Sequence, residues 1–211
     1  MASMRVYVAD DHHVVRRGLQ QILATQAGWE LAGEARKADD VLPALRSTAV
    51  DVLILDISLG GRSGIDLLGH IRAEFPSLPV LIFSMHAEEQ YAARCLRAGA
   101  SGYLQKDSAP ADIITAIERV AAGRRYLSAT LAGSIADSVG LAAEPPHERL
   151  SDREFEVFRL IAEGKSPTEI ADSLHLSVKT VSTYRTRILE KTGFHSNADI
   201  VAYAVRTGLV E

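Results

Sequence analysis

The chain has 211 residues, a formal net charge of −4, and 47% hydrophobic and 24% charged residues, a balance typical of globular proteins in water. Its aliphatic runs reach only four residues, whereas a membrane-spanning helix needs roughly 20, and no apolar signal segment is visible at the N-terminus. We therefore expect a cytoplasmic protein with no membrane partner. The single cysteine, Cys95, cannot form a disulfide within the chain.

Short strand-like runs alternate with amphipathic stretches over residues 5 to 123. The strand-like runs are residues 6–9, 29–33, 52–55, 80–83 and 103–104. The stretches with helical periodicity are residues 14–24, 65–75, 91–98 and 111–122. This alternation predicts right-handed crossovers and a mostly parallel, five-stranded sheet in an α/β domain over residues 1–124.

A linker is predicted over residues 125–148, because its second half, "DSVGLAAEPPHE", carries glycine, two prolines and few large apolar side chains. Every strong signal in residues 149–211 is helical. Ser151 to Glu154 and Ser166 to Glu169 are capping boxes, which mark the starts of two helices. We predict that the second helix ends near Leu174 and that a third begins after Ser177, which is the helix-turn-helix arrangement in an all-α, four-helix domain.

The charge of this C-terminal region is neutral overall but unevenly placed. Residues 149–211 contain nine Lys and Arg and nine Asp and Glu. No acidic residue lies between Asp172 and Glu190, whereas Lys179, Arg185 and Arg187 do. A local basic face on a neutral domain favours an anionic polymer, such as DNA, as its partner.

Polar side chains also cluster at the predicted carboxyl ends of the strands. They are Asp10 and Asp11 after the first strand, Asp56 after the third, Ser84 after the fourth, and Tyr103 and Lys106 at the fifth. Carboxyl ends of parallel strands share one sheet edge, where ligands of doubly wound sheets bind. Three carboxylates need a cation, which an all-oxygen donor set suggests is Mg²⁺. Together with a hydroxyl and an ammonium group, they suit a phosphoryl group.

These residues, with "AGASGYLQK" leading into the lysine, resemble the receiver domain of two-component response regulators. The segment "LSDREFEVFRLIAEGKSPTEIADSLHLSVKTVSTYRTRILEKTG" resembles the LuxR-type helix-turn-helix, and the combination is that of the NarL/FixJ class. The resemblance covers nearly the whole chain apart from the linker. It implies a flavodoxin-like, doubly wound receiver domain followed by a DNA-binding domain.

The resemblance also implies a chemistry for the receiver site. Asp56 would accept a phosphoryl group from a cognate histidine kinase or phosphotransfer protein, with Lys106 and Ser84 binding the phosphoryl oxygens and Tyr103 following Ser84 inward. Mg²⁺ would be held by Asp11, Asp56 and the backbone carbonyl of Ser58, with Asp10 as a direct or outer-sphere partner. Ser58 and His86 occupy positions that modulate water access to the phosphoryl group in this family. By default, we expect His86 to face solvent.

The third helix of the C-terminal domain carries the predicted DNA contacts. Val178, Val181, Ile188 and Leu189 recur at helical spacing and are predicted to face the core. The opposite face contains the candidate contacts. By resemblance these are Ser182, Thr183 and Thr186 toward base edges, Lys179, Arg185 and Arg187 toward phosphates, and Tyr184 at a phosphate or dimer contact. Ile200, Tyr203 and Ala204 in the last helix are candidates for the core or for pairing two such domains.

The family further implies a homodimer formed on phosphorylation and inverted-repeat promoter sites in double-stranded DNA, with RNA polymerase as another candidate partner. Two alternatives stay open. A Mg²⁺-dependent aspartyl phosphatase of the haloacid-dehalogenase type would use Asp56 as nucleophile, but it needs an acid two residues later, where this chain has Ser58. A pseudo-receiver that binds DNA without phosphorylation usually lacks an acidic or lysine position, and none is missing here.

Overall fold

The computed structural model describes residues 3–59, 64–86, 88–127 and 145–210, without the side chains of residues 89 and 90. The chain divides into two compact units, Met1–Val139 and Gly140–Glu211. Most of the predicted linker, 125–148, lies outside the described residues, so its boundaries stay a prediction. Each unit has buried apolar residues of its own.

The first unit is built on a five-stranded sheet in which every neighbouring pair is parallel. The strands are Met4–Ala9 (β1), Trp29–Ala35 (β2), Val52–Leu55 (β3), Val80–Ser84 (β4) and Gly102–Gln105 (β5). Their order is β2-β1-β3-β4-β5, which is the doubly wound, flavodoxin-like order. The predicted fold class is confirmed, and strand order reverses at β1, beside β3.

In the described part of the first unit, four helices connect these strands and a fifth follows β5. They are His13–Ala24 (α1), Ala38–Ser47 (α2), Gly64–Glu74 (α3), Glu88–Arg97 (α4) and Pro110–Ala121 (α5). The helix α2 was not predicted, because Asp39 and Asp40 favour turns and Pro43 stands inside it. It forms nevertheless, since Ala38, Val41 and Leu45 share one buried face.

The core of the first unit is centred on its short inner strands. All four residues of β3 are buried, as are all five of β4, as expected for strands covered on both faces. The side chains of β1, β3 and β4 pack with Leu19 and Leu23 of α1 and with Ile113 and Ile117 of α5. Each such aliphatic side chain contributes about 1.5–3 kcal/mol when it is fully buried. This packing fixes the strand ends that carry the polar residues.

The second unit is all-helical in its described part. After a short 3-10 helix, Pro146–Arg149, come Asp152–Ala162 (α6), Pro167–Ser173 (α7), Val178–Thr192 (α8) and Asn197–Arg206 (α9). Both predicted capping boxes are present, at Ser151 and Ser166. The four α-helices and the α7-turn-α8 arrangement agree with the predicted helix-turn-helix.

One predicted core position of α8 is wrong. Val181 and Ile188 are buried and Leu189 is half-buried. Val178 is 45% exposed, because it is the first residue of α8, where the helix has only begun to meet the core. In α9, by contrast, Ile200, Tyr203 and Ala204 are all buried within their own domain. Among the described helices, none is long and apolar enough to cross a membrane.

Candidate functional site

The carboxyl ends of β1 and β3 bring two aspartates together. These strands are parallel neighbours with Ala9 opposite Leu55, so Asp10 and Asp56, which follow them, leave the sheet side by side. The amide of Asp56 donates to the carbonyl of Ala9 at 2.9 Å. Both aspartates are only 2% exposed. Adjacent buried carboxylates repel each other unless a cation lies between them.

Lys106 provides such a cation. Its backbone amide donates to the carbonyl of Ser84 at 2.8 Å, which ties the residue after β5 to the end of β4. Its Nζ lies 2.7 Å from Oδ2 of Asp10 and 2.7 Å from Oδ2 of Asp56. Although burial alone would lower the pKa of Lys106, the charges and hydrogen bonds of Asp56 and Asp10 raise it above its ordinary value. The lysine is therefore held in its charged form.

Burial destabilises the charged form of Asp56. Burial raises the pKa of Asp56 above its ordinary value, and Lys106 and the backbone amide of Ser58 offset only part of that effect. The Ser58 amide donates to Oδ1 of Asp56 at 3.0 Å. Because burial destabilises its charge, such a carboxylate is stabilised more by a further cation, or by covalent neutralisation, than an exposed carboxylate is.

A glycine that the sequence did not single out shapes the loop after Asp56. The amide of Gly64, the first residue of α3, donates to the carbonyl of Ile57 at 2.8 Å. A Cβ on Gly64 would lie 2.5 Å from the carbonyl oxygen of Asp56 and 2.5 Å from the Cα of Ile57. Only glycine fits this approach without displacing the backbone that carries Asp56. No pattern of hydrophobicity or charge could have identified it.

Ser84, Tyr103 and His86 form a second group at the same sheet edge. Ser84 is fully buried at the end of β4, next to β3, and its Oγ accepts from the amide of His86 at 3.1 Å. The hydroxyl of Tyr103 donates to the carbonyl of His86 at 2.9 Å. Burial raises the pKa of the Tyr103 hydroxyl, so it stays protonated and acts as a donor. Tyr103 is already 1% exposed, so in this structure its side chain is inside.

His86 is half-buried and not fully solvent-facing as expected. Its ring stacks on Tyr91 with centroids 4.5 Å apart, and its Nε2 lies 3.2 Å from the hydroxyl of Ser58. The loop after β4 is thus linked directly to the loop after β3. Ser58 and His86, which the resemblance placed beside the phosphoryl position, are in contact with each other.

An acidic cluster suited to a divalent cation is centred on Asp10, Asp11 and Asp56. Together with His12, each of these residues offers one ligand atom, and the four atoms lie within 4.8 Å of one another. Three carboxylates against one lysine leave an excess of negative charge, and such oxygen donors are what Mg²⁺ prefers. The sequence predicted the three acids, but the imidazole of His12 was not predicted as part of this group.

The helix α8 presents the other predicted site. Lys179, Ser182, Thr183, Thr186 and Arg187 are all exposed, whereas Tyr184 and Arg185 are partly buried. The helix is capped by Ser177, whose Oγ accepts from the amide of Thr180 at 3.0 Å. The hydroxyl groups of Ser182, Thr183 and Thr186 donate to carbonyls four residues earlier. Each of these exposed hydroxyl oxygens can still accept a hydrogen bond from a polar partner.

Arg185 has a contact that the sequence did not predict. Its Nε donates to Oδ1 of Asn197 at 2.6 Å, which joins the middle of α8 to the first residue of α9. The guanidinium still carries further donors. Arg187, two residues later, is exposed. The two arginines are therefore not equivalent members of the basic face.

Comparison with known protein families supports the class that fold and site define. The model for the response regulator receiver domain matches residues 6–118, and the model for bacterial regulatory proteins of the luxR family matches residues 148–204. The chain belongs to the response regulators of two-component systems, with a receiver domain followed by a LuxR-type helix-turn-helix domain of the kind that regulates transcription.

Relatives match over the full length of the chain. The response regulator UvrY of Escherichia coli K12 is 34% identical over 208 residues, which are 98% of this chain and 95% of UvrY. The response regulator GacA of Pseudomonas aeruginosa is 33% identical over 210 residues, or 99% of this chain and 98% of GacA. A structure of RcsB from Salmonella enterica serovar Typhimurium, bound to promoter rprA with the phosphomimetic BeF₃⁻, has 29% identity and a TM-score of 0.67, covering 95% and 98% of the two chains.

Proposed function

We propose that this protein accepts a phosphoryl group on Asp56 from a histidine kinase or phosphotransfer protein and that phosphorylation promotes dimerisation and promoter binding. The observation that carries the proposal is the position of Asp56. It is buried at the carboxyl end of β3, within 2.7 Å of Lys106 and beside Asp10. RcsB, with 29% identity, was solved on promoter DNA with a phosphomimetic, which supports the same sequence of events here.

The transfer is a displacement at phosphorus. An oxygen of Asp56 forms the new P–O bond while the P–N bond to the kinase histidine breaks, and the released imidazole nitrogen takes up a proton from solvent. Lys106 pairs with one phosphoryl oxygen and Ser84 donates a hydrogen bond to another. Tyr103, already inside, holds the loop at His86 in the conformation that Ser84 needs.

The donor set at this edge fits Mg²⁺. Asp11, Asp56 and the backbone carbonyl of Ser58 would hold the ion, with Asp10 as a direct or water-mediated ligand. When bound, the ion neutralises negative charge on the carboxylate and phosphoryl oxygens. The chain's own contribution is to keep three acids close enough to share one cation.

On the DNA side, we assign base contacts to Ser182, Thr183 and Thr186 and phosphate contacts to Lys179, Arg185 and Arg187, with Tyr184 at their border. A single helix-turn-helix offers few base contacts, so useful affinity needs two copies on an inverted repeat. A homodimer on double-stranded DNA follows, with RNA polymerase as a further partner. We place residues 1–124, 125–148 and 149–211 as receiver, linker and DNA-binding domain, and the site of action in the cytoplasm.

This assignment makes the protein a regulator and not a turnover enzyme, apart from hydrolysis of its own aspartyl phosphate. The test is a mass spectrum of the full chain after treatment with acetyl phosphate and Mg²⁺. We expect one added phosphoryl group, which is absent in Asp56→Ala and retained in the control Asp51→Ala, at the opposite end of β3. The same sample should shift toward dimer in sedimentation and gain DNA affinity. An unchanged mass, when a known receiver is modified in parallel, would refute the proposal.

A further inference from the structure

The imidazole of His12 lies beside the acidic cluster, and one of its nitrogen atoms is close to two carboxylate oxygens. Its Nδ1 is 2.7 Å from Oδ1 of Asp11 and 3.3 Å from Oδ1 of Asp10. With Asp56 these residues form the one group in the described part of the chain whose ligand atoms could share a metal ion. Phosphoryl transfer to Asp56 requires the carboxylates, but it does not require an imidazole.

The spacing of these atoms matches a coordination sphere. In an octahedral site with bonds of about 2.1 Å, neighbouring ligand atoms lie roughly 3.0 Å apart and opposite ones roughly 4.2 Å. The distances from Nδ1 of His12, 2.7 and 3.3 Å, bracket the separation of neighbouring ligands. A small shift of the nitrogen would therefore let it coordinate an ion together with Asp11 and Asp10.

The backbone around His12 keeps this geometry in place. Its amide donates to Oδ1 of Asp10 at 2.8 Å. The buried guanidinium of Arg16 donates to the carbonyl of Asp10 at 2.8 Å and lies 3.2 Å from Glu34, so the turn before α1 is fixed from both sides. The side chain of His12 remains 60% exposed, which leaves its ring accessible to an ion that enters from solvent.

Lys106 does not compete for the same atoms. Its amino group contacts Oδ2 of Asp10 and Oδ2 of Asp56, whereas His12 lies against Oδ1 of Asp10. The two carboxylate oxygens of Asp10 thus face different partners. An ion bound beside His12 can use the Oδ1 oxygens while the lysine keeps its own contacts.

We propose that His12 is a ligand, through Nδ1, at this site and that it shifts the metal preference from Mg²⁺ toward divalent first-row transition ions such as Mn²⁺ and Co²⁺. Mg²⁺ is a hard ion that takes oxygen ligands, whereas an imidazole nitrogen favours the transition ions, more strongly for Co²⁺ than for Mn²⁺. The inference rests on the proposed function, because it assumes that the acids hold a divalent cation.

Metal titration of the full-length chain tests the preference. Calorimetric affinities for Mg²⁺, Mn²⁺ and Co²⁺ are compared among the unmodified protein, His12→Asn and His13→Asn at pH 8. His13 is the matched control, since it is the adjacent exposed histidine and lies outside the cluster. We expect His12→Asn to weaken Co²⁺ binding about 10-fold or more and to leave Mg²⁺ within about 2-fold, whereas His13→Asn changes neither.

A spectroscopic readout detects the ligand in the unmodified protein, and the variants then assign the signal. Electron spin echo modulation of the Mn²⁺-loaded protein reports directly bound nitrogen, and we expect an imidazole ¹⁴N signal that persists in His13→Asn and disappears in His12→Asn. Mn²⁺ bound in an Asp56-dependent manner without that signal would overturn the role of His12 and leave the proposed function intact. Failure of all three ions to bind would overturn the metal site itself, and this inference with it.

Discussion

The amino group of Lys106 lies 2.7 Å from a carboxylate oxygen of Asp56 and equally far, 2.7 Å, from one of Asp10. Lys106 is thus the positive charge that joins the ends of β1, β3 and β5. In Lys106→Ala we expect Mg²⁺ binding to remain, because all metal-ligating oxygens are kept, and the gain in DNA affinity on phosphorylation to be lost. Calorimetry and DNA titration before and after acetyl phosphate treatment measure the two properties.

The control for this prediction is Lys37→Ala, which removes an exposed lysine at the start of α2. It should behave as the unmodified protein in both assays. If Lys106→Ala still gained DNA affinity after phosphorylation, Lys106 would not be the residue that senses the phosphoryl group.

Two glycines of α3 provide a matched pair. Alanine at Gly64 would place a Cβ 2.5 Å from the backbone of Asp56 and Ile57, whereas a Cβ on Gly69 would meet nothing within 4 Å. We expect Gly64→Ala to lower the free energy of unfolding by about 1–3 kcal/mol and to slow phosphorylation of Asp56. Gly69→Ala should raise it by about 0.5–1 kcal/mol, since alanine is the better helix former.

Urea unfolding followed by circular dichroism, with a time course of acetyl phosphate modification, separates the two variants. If they changed stability in the same direction, the close approach of α3 to the Asp56 backbone would not be a constraint on this protein.

The edge of β5 is covered by a residue that follows α5. Gly102 pairs with Tyr126, and the amide of Tyr103 donates to the carbonyl of Tyr126 at 3.3 Å. A Cβ on Gly102 would lie 2.9 Å from that carbonyl oxygen. We expect Gly102→Ala to detach Tyr126 from the sheet and to increase hydrogen exchange at the Tyr103 amide. Tyr126→Phe, which keeps the backbone contacts, should preserve protection, and equal exchange in both variants would contradict this account.

Much of this fold could be predicted because its signals are local. Strands buried on both faces appear as aliphatic runs, and the helix starts at Ser151 and Ser166 have capping boxes. The acids at the ends of β1 and β3 could be predicted to meet because parallel strands end at one edge. The helix α2 could not, because its stability comes from tertiary burial that overrides the turn preference of Asp39 and Asp40.

The unpredicted features of the site depend on distances between segments far apart in the sequence or on the direction of one side chain. The role of Gly64 depends on the backbone of Asp56, eight positions earlier. The contact of Arg185 with Asn197 depends on how α9 folds back on α8. Val178 was assigned to the core by helical periodicity, which cannot indicate where along a helix the packing begins.

The contacts of Glu154 let us predict how the stability of the second unit changes at low pH. Its carboxylate accepts from the amide of Ser151 at 2.8 Å and from Nζ of Lys191 at 2.6 Å. Although burial alone would raise the pKa of Glu154, these hydrogen bonds lower it below its ordinary value of 4.5. A lowered pKa in the folded state contributes stability that is present above pH 4.5 and is lost as the pH falls through the lowered pKa.

We therefore expect Glu154→Gln to destabilise the second unit at pH 7 by roughly 1–2 kcal/mol, and this deficit to narrow progressively at pH values below 4.5. Urea unfolding of the full-length chain, followed through NMR signals of α6 at several pH values, measures it. Glu190→Gln, at an exposed position of α8, is the control and should change little at any pH. A deficit that did not depend on pH would mean that the charge of Glu154 contributes nothing.

On the basic face of α8, we expect Arg185 and Arg187 to contribute differently to DNA binding. Arg187 is exposed, whereas Arg185 donates to Asn197 at 2.6 Å and has fewer donors left for a phosphate. Each phosphate contact per site contributes a slope of about −0.9 to the dependence of log affinity on log salt. We expect Arg187→Ala and Lys179→Ala to flatten this slope by roughly that amount per monomer and to weaken binding to all sequences alike.

Arg185→Ala should flatten the slope less and instead loosen the start of α9, which is seen as faster hydrogen exchange there. Thr183→Ala is the complementary control, because it removes a hydroxyl that we propose faces the bases, and no charge. It should relax sequence preference while the slope stays unchanged. Salt titrations on a selected inverted repeat and on an unrelated duplex measure both quantities for each variant. An equal loss of slope in Arg185→Ala and Arg187→Ala would show that the Asn197 contact is given up when the helix meets DNA.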